Sequence, residues 1–239
     1  MAYEIKNTNG LHSNRVKMIV FAQSGFGKST ALGTLEGSTL ILSSEAGLLV
    51  LDDKDIDTIE VTDTDTLGEI YVDIKEGKLD YDNVCLDSLT EIGEIVVNEL
   101  EQDEYYGDPS NTFKLWGQYT KKMTKIVKLF RDLPNCNVVI TALAEPTEVN
   151  GGIVYLPQVP AKKFQSKLVS LFDEVYYGSV GKDGDRFLNT TSGSSFQAKS
   201  RAGIFDKQID ITDNKESTLG AMLKAIANKN DNKTTTEEK

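Results

Sequence analysis

Eight consecutive residues near the start of the chain have the types and spacing that bind phosphate. They are Gln23, Ser24, Gly25, Phe26, Gly27, Lys28, Ser29 and Thr30. When a strand turns through glycines into a helix, the backbone N–H groups of the turn point into one concavity that can hold an anion. Lys28 would add a charge at the β- and γ-phosphates, and the Ser29 hydroxyl would bind Mg²⁺. The spacing predicts a P-loop for ATP and Mg²⁺, with Ala22 in place of its first glycine.

Carboxylates further along the chain can complete such a site. Cleavage of a phosphoanhydride needs a bound Mg²⁺, an oriented water and positive charge at the transition state. Asp87 ends an apolar run, where a Walker B aspartate belongs, and would bind a metal-bound water opposite Ser29. The next residue is Ser88 rather than a glutamate, so the water must be oriented from elsewhere. We predict Glu45 for this role in preference to a surface helix cap, with Glu91, one helical turn past Asp87, as the alternative base.

Three further residues are candidates for contacts with the transferred phosphate. Thr141 ends another apolar run and could donate a hydrogen bond to the γ-phosphate or the water; the alternative is a strand-end threonine without such a role. Lys199 and Arg201, at i and i+2, lie on the same side of the chain if the segment is extended. Charges so late in the chain could reach the nucleotide of a neighbouring subunit. The alternative is a surface pair.

The elements that must position these residues alternate between strand and helix patterns. Apolar runs predict strands over 16–21, 39–43, 56–61, 83–88, 137–142, 174–180 and 186–191. Helical spacing covers 64–75, 89–100, 112–133 and 161–171. This order predicts an α/β fold with a mainly parallel sheet flanked by helices, in which the carboxyl ends of the strands face one crevice. Asn150 and Gly151 lie between two β-rich runs and predict a β-hairpin insertion.

Composition limits the classes of function. The chain has 239 residues, 39% of them hydrophobic, and a net charge of -11. This charge argues against a surface that binds nucleic acid throughout, but it permits a local groove. A stripe of lysines in the predicted helix 112–133 is read as a solvated face in preference to a nucleic-acid contact. Its members are Lys114, Lys121, Lys125 and Lys128.

The chain offers no pattern for a membrane span or a metal cluster of histidines and cysteines. No apolar run approaches the ~20 residues that a span needs, so we predict a cytoplasmic protein without a membrane partner. Cys85 and Cys136 lie in strand-like runs and are predicted core residues, and His12 is a predicted surface residue. The expected division is an N-terminal segment over 1–15, an ATPase domain over 16–227 and a disordered polar tail over 228–239.

The set of motifs resembles the RecA-like ATPases, and most closely the small phage-encoded RecA-like nucleotide-binding proteins of single-strand annealing and recombination. The matching segments are 25–30, 44–46, 85–91, 139–142, 172–175 and 199–201. Two departures are Ala22 and Thr141, the second standing where RecA proper carries a larger amide side chain. The resemblance implies a RecA-like P-loop core that forms a homo-oligomer, in which Lys199 and Arg201 complete the site of the next subunit.

The same resemblance implies single-stranded DNA as a partner, bound on loops that project from the sheet. The best candidate segment is 144–163, in which Lys162 and Lys163 could meet phosphates and Tyr155 could stack on a base; the equal alternative is a purely structural hairpin. It also suggests a single-strand-binding protein as a partner, and the host cytoplasm as the location if the chain is phage-encoded. The leading hypothesis is therefore a DNA-stimulated ATPase of phage-type recombination or annealing. The alternatives are a nucleotide-gated adaptor that recruits replication or recombination proteins and, less favoured, a small-molecule P-loop kinase.

Overall fold

A computed structural model describes residues 15–45, 47–212 and 217–236 of the chain. The predicted N-terminal segment, with His12, lies outside the described residues except for its last position. None of the helices in the described part of the chain combines the length and apolar character that a membrane span needs.

The described residues form one ten-stranded sheet with helices on both faces. The strands are β1 (Lys17–Ala22), β2 (Thr39–Ser43), β3 (Asp57–Glu60), β4 (Asn83–Asp87), β5 (Asn137–Val149), β6 (Gly152–Pro157), β7 (Glu174–Val180), β8 (Arg186–Asn189), β9 (Lys199–Ser200) and β10 (Gln208–Asp210). The helices are α1 (Lys28–Leu32), α2 (Thr64–Lys75), α3 (Leu89–Gln102), α4 (Thr112–Arg131), α5 (Lys162–Leu168) and α6 (Leu219–Thr236). Short 3-10 turns cover Leu48–Leu51, Pro109–Asn111 and Val169–Leu171.

The strand order is β10-β8-β7-β1-β5-β4-β2-β3, and the six strands from β7 to β3 run parallel. The four strands β6, β8, β9 and β10 are antiparallel to their neighbours. The prediction of an α/β fold with a mainly parallel sheet is confirmed. Because β5 lies between β1 and β4, the carboxyl ends of β1, β5, β4 and β2 are neighbours. We call this line of strand ends, which holds the site, the edge of the sheet, and the amino ends of the same strands the opposite edge.

Both faces of the sheet are buried, which explains why the parallel strands are apolar without alternation. Helices α2 to α5 cover one face, with Tyr119, Met123 and Phe130 of α4 fully buried there. Helices α1 and α6 cover the other face, where Leu32 and Met222 are buried against β1.

The structure differs from the sequence prediction at three places. Strand β5 continues past residue 142 to Val149 and forms the predicted hairpin with β6, turning at Asn150 (φ 52°) and Gly151 (φ 80°). The short edge strands β9 and β10 were not predicted, since two or three residues carry too little pattern. Helix α6 continues to Thr236 through most of the segment predicted to be disordered, because no glycine or proline follows Gly220 to end it. Residues 237–239 lie outside the described residues.

Candidate nucleotide-binding site

The P-loop connects β1 to α1 as the sequence predicts. Gly25 and Gly27 both adopt left-handed backbone conformations, with φ of 78° and 94°. Residues with a Cβ rarely adopt these angles, so the two glycines make the tight turn possible. Helix α1 spans only Lys28–Leu32 and ends at Gly33. A helix this short has a small dipole, so phosphate binding must rest on the loop N–H groups and Lys28.

The Phe26 side chain holds the loop onto the sheet. It is 1% exposed and lies against Gly178 of β7, where an added Cβ would come within 2.6 Å of its ring. Only the backbone of Phe26 is therefore placed to contact a nucleotide. The Gln23 amide nitrogen donates to the Ala144 carbonyl oxygen at 3.1 Å, which ties the loop to the base of the hairpin. Ser24 and Thr30 are exposed at the loop.

Asp87 is the centre of the site. Its carboxylate is 1% exposed at the end of β4, and the Ser29 hydroxyl donates to its Oδ2 at 2.7 Å. The Thr141 hydroxyl, from β5, donates to the other carboxylate oxygen. The P-loop serine, the strand-end aspartate and the neighbouring threonine, which the sequence could only propose separately, are thus in direct contact.

These oxygens fit a magnesium ion. Mg²⁺ prefers oxygen ligands and is usually held by one or two carboxylates with substrate phosphates and waters. Ser29 and Asp87 present a hydroxyl and a carboxylate together at the end of the P-loop. No group of three or more histidine, cysteine, aspartate or glutamate side chains in the described ranges could hold a metal by itself. A phosphate-assisted Mg²⁺ site does not need one.

Lys28 lies between the loop and the carboxylates. Its ammonium nitrogen is 3.5 Å from the Ala22 carbonyl oxygen. Burial lowers the pKa of Lys28, while the negative charges of Glu45 and Asp87 raise it. The ammonium group of Lys28 is therefore attracted by two carboxylates and is partly removed from water. A bound phosphate would offset the cost of that desolvation.

Glu45 is held at the same edge of the sheet by the residue that follows Asp87. The Ser88 hydroxyl donates to the Glu45 carboxylate, and the Ser43 hydroxyl donates to the Glu45 carbonyl oxygen at 2.7 Å. Strands β2 and β4 are neighbours, with Ser43 opposite Asp87, so the two carboxylates lie at adjacent strand ends. The Asp87–Ser88 peptide bond is cis.

Glu91, the alternative to Glu45, lies in the first turn of α3. Its pKa is raised by burial first and then by the nearby charges of Glu45 and Glu94. The structure therefore places both candidate glutamates within electrostatic reach of one another, and only Glu45 is fixed by a side-chain hydrogen bond to the Walker B segment.

The sequence model of one protein family, described as an AAA domain, matches residues 14–202. The chain belongs to this family. It is therefore a P-loop AAA-type ATPase by family, and nucleotide binding is the activity that the family shares. No curated protein matches the chain. The matched region of the AAA domain contains every site residue described above and ends just after Lys199 and Arg201.

Lys199 and Arg201 lie away from the P-loop of their own AAA domain. Lys199 pairs with Val175, which is level with Ile19, three residues before the end of β1. At about 3.3 Å per residue, this displaces Lys199 by about 10 Å toward the opposite edge of the sheet. The guanidinium of Arg201 is 2.6 Å from the Asp173 carboxylate, and both side chains are largely exposed.

Two residues without a predicted role complete the AAA site. Ser88 belongs to the segment 85–91 that carries the RecA-like resemblance, but no role of its own was predicted for it, and its hydroxyl holds Glu45. Gly178 supports the P-loop through Phe26 from more than 150 residues away. Both roles depend on which strands are neighbours, and local spacing gives no signal for that.

Proposed function

We propose that this chain hydrolyses the β–γ phosphoanhydride of ATP and acts on single-stranded DNA in phage-type recombination or annealing. The observation that carries the ATPase proposal is the buried Asp87 carboxylate, which accepts hydrogen bonds from Ser29 of the P-loop and Thr141 of the intervening strand. A buried carboxylate contacting the P-loop serine is the arrangement that positions a metal at the phosphates.

Each step of the proposed hydrolysis has its own residues. Loop N–H groups around Gly25 and Gly27 bind the phosphate oxygens, and Lys28 neutralises the charge that develops between the β- and γ-phosphates. Ser29 and Asp87 would hold Mg²⁺, which would polarise the phosphate oxygens. Glu45 orients a water for in-line attack on the γ-phosphorus and accepts its proton, while the bond to the β–γ bridging oxygen breaks and ADP leaves.

The proposed assembly rests on where the late cations lie. Lys199 and Arg201 are displaced from the P-loop of their own subunit, and Arg201 is exposed. In a homo-oligomer they would act on the nucleotide of the next subunit, as arginine fingers do. Single-stranded DNA and, as a further partner, a single-strand-binding protein belong to the same proposal, with the host cytoplasm as its location.

A nucleotide-gated adaptor is the second candidate. The 3-10 turn at Leu48–Leu51 follows Glu45 closely and exposes two apolar side chains, Leu49 at 84% and Val50 at 48%. An apolar pair beside the γ-phosphate position could present a nucleotide-dependent surface to another protein. The kinase alternative gains no such support: Arg131 and Arg201 bind partners at the edge of the sheet opposite the P-loop.

Phosphate release from ATP, measured with and without single-stranded DNA, tests the proposal. We expect turnover that rises with DNA and is lost in Lys28→Ala. Turnover that is indifferent to DNA would refute the DNA-stimulated ATPase and favour the adaptor. Phosphate transfer to nucleoside monophosphates in place of water would instead revive the kinase.

A further inference from the structure

Helix α4 has an unusual charge composition for this acidic chain. The chain carries 37 aspartates and glutamates among 239 residues, which would place about three in an average helix of 20. The 20 residues of α4 contain none, but they include five lysines and one arginine. An ordinary solvated helix mixes both signs, because opposite charges three or four residues apart stabilise it. The composition of α4 therefore needs another explanation than solvation alone.

Four of these lysines form one line on the outside of the helix. Lys114, Lys121, Lys125 and Lys128 fall within an arc of about 60° at 3.6 residues per turn, opposite the buried face. All four are exposed, and the line from the first to the last is about 21 Å long at 1.5 Å per residue. Lysines at i, i+3 and i+4 repel one another. A bound polyanion would relieve this repulsion.

Nearby carboxylates leave most of these charges uncompensated. Asp132 accepts from Arg131 at 2.7 Å, and Asp73 pairs with Lys78 at 2.9 Å. Lys121, Lys125 and Lys128 have no salt bridge with any residue that the structure describes. A groove between α2 and α4 is lined by Asp65 and Glu69 of α2, and these carboxylates limit the positive surface on the α2 side of α4.

A groove adjoins the line of lysines at the carboxyl-terminal half of α4. This groove, of about 680 Å³, lies between α4, α2 and α5, and its charged and aromatic lining consists of Lys121, Lys125, Lys128, Lys167, Tyr71 and the carboxylate of Asp132, which is paired with Arg131. Tyr71 is partly buried at the groove, with its ring edge-on to Phe130 at 6.0 Å between centroids and the Lys75 ammonium 5.9 Å from its centroid. Cations along a groove with an aromatic ring are the elements of single-strand binding, in which phosphates meet lysines and a base stacks on the ring.

The β5–β6 hairpin lacks these elements. Residues 144–157 contain Glu145 and Glu148 and no lysine or arginine. The ring of Tyr155 is already stacked on Tyr177, with centroids 5.6 Å apart. The cations of the segment 144–163 are confined to Lys162 and Lys163 at the start of α5.

We propose that single-stranded DNA binds along the outer face of α4 and its groove with α5, through Lys121, Lys125, Lys128 and Lys167, rather than on the hairpin. This inference rests on the proposed function, because it locates the DNA site of that ATPase. The site lies on the outside of the helical layer that covers the sheet, so substitutions there leave the P-loop carboxylates untouched.

The test is the anisotropy of a fluorescein-labelled oligo-dT, titrated with wild type and three double variants over a range of salt concentrations. Lys125→Gln with Lys128→Gln removes two charges from α4 and keeps good helix formers. Lys162→Gln with Lys163→Gln removes two charges from the segment 144–163, at the start of α5. Lys182→Gln with Lys207→Gln removes two charges beside β8 and β10, the last strands on one side of the sheet, and is the matched control for net charge.

Each single-strand phosphate contact contributes a slope of about -0.7 to log K plotted against log salt, and its contribution to the affinity vanishes near 1 M salt. The loss of two contacts should therefore weaken binding by the α4 variant about 25-fold at 0.1 M salt. Its salt slope should fall by about 1.4. The control should bind as wild type does, and all variants should keep the ATP turnover seen without DNA.

Two results would overturn the inference, and they can be told apart. A loss confined to the Lys162 and Lys163 variant, or equal in all three, would remove the site from α4 while the DNA-binding proposal stands. Wild type that fails to bind oligo-dT at low salt, with and without a non-hydrolysable ATP analogue, would refute both the site and the DNA part of the proposed function.

Discussion

Gly178→Ala should disable the P-loop from a distance. An added Cβ would lie 2.6 Å from Cζ of Phe26 and 2.7 Å from Cβ of Ala22. Carbon atoms pack at about 3.5 to 4.0 Å, so the ring must move by about 1 Å. The Phe26 ring is buried, and its backbone lies between the two glycines that shape the loop. The displacement therefore reaches the phosphate-binding N–H groups.

The expected effect has two parts. Overpacking of this kind destabilises by about 2 kcal/mol, which lowers the Tm of a domain of this size by about 4 to 8 °C. Misplacement of the loop by about 1 Å should reduce ATP turnover by on the order of tenfold to a hundredfold. Thermal unfolding and phosphate release measure the two effects separately.

Two further variants make this prediction specific. Gly68→Ala in α2 meets no atom within 4 Å and should stabilise the helix by up to about 1 kcal/mol, leaving turnover unchanged. Phe26→Leu in the Gly178→Ala background removes the clashing ring atoms and should recover part of the lost turnover. The reasoning fails if Gly178→Ala keeps both the Tm and the turnover of wild type.

Three other predictions concern single side chains. Glu45→Gln should lower turnover by about 10²- to 10⁴-fold while ATP binding persists, and Glu91→Gln should not; the reverse result would assign the water to Glu91. Thr141→Val leaves one oxygen of the buried Asp87 carboxylate without its donor and should destabilise by about 2 kcal/mol in urea unfolding; an unchanged midpoint would mean that this hydrogen bond is not needed. Lys17, whose ammonium group donates to the Leu133 and Cys136 carbonyl oxygens, has a pKa lowered by burial to about 8. The unfolded chain then holds more protons above pH 8, so stability should rise by about 1 kcal/mol from pH 7 to 9 relative to Lys17→Met, and parallel pH profiles would contradict this.

The sequence predicted those parts of the molecule that depend on neighbours along the chain. The P-loop was visible because its two glycines, its lysine and its serine all lie within the five positions 25–29. The hairpin turn was visible because Asn150 and Gly151 both need left-handed backbone conformations. The parallel sheet followed from apolar runs that alternate with helical spacing.

The rest depended on which distant elements are neighbours. That Ser88 holds Glu45 follows from the pairing of β2 with β4, and that Lys167 joins the lysines of α4 follows from the packing of α5. No local pattern contains either fact. Helix α6 was not predicted, and its second half covers residues whose polar composition indicated a disordered tail.

The role of Asp87 and Ser29 as the metal site is tested by phosphate release from ATP by the purified protein, with Mg²⁺, with EDTA, and in the variants Lys28→Ala and Asp87→Asn. We expect turnover that requires Mg²⁺ and is lost in both variants while their thermal unfolding stays cooperative. Turnover that survives EDTA or the loss of Asp87 would contradict the central claim that this carboxylate, with Ser29, positions the metal for hydrolysis.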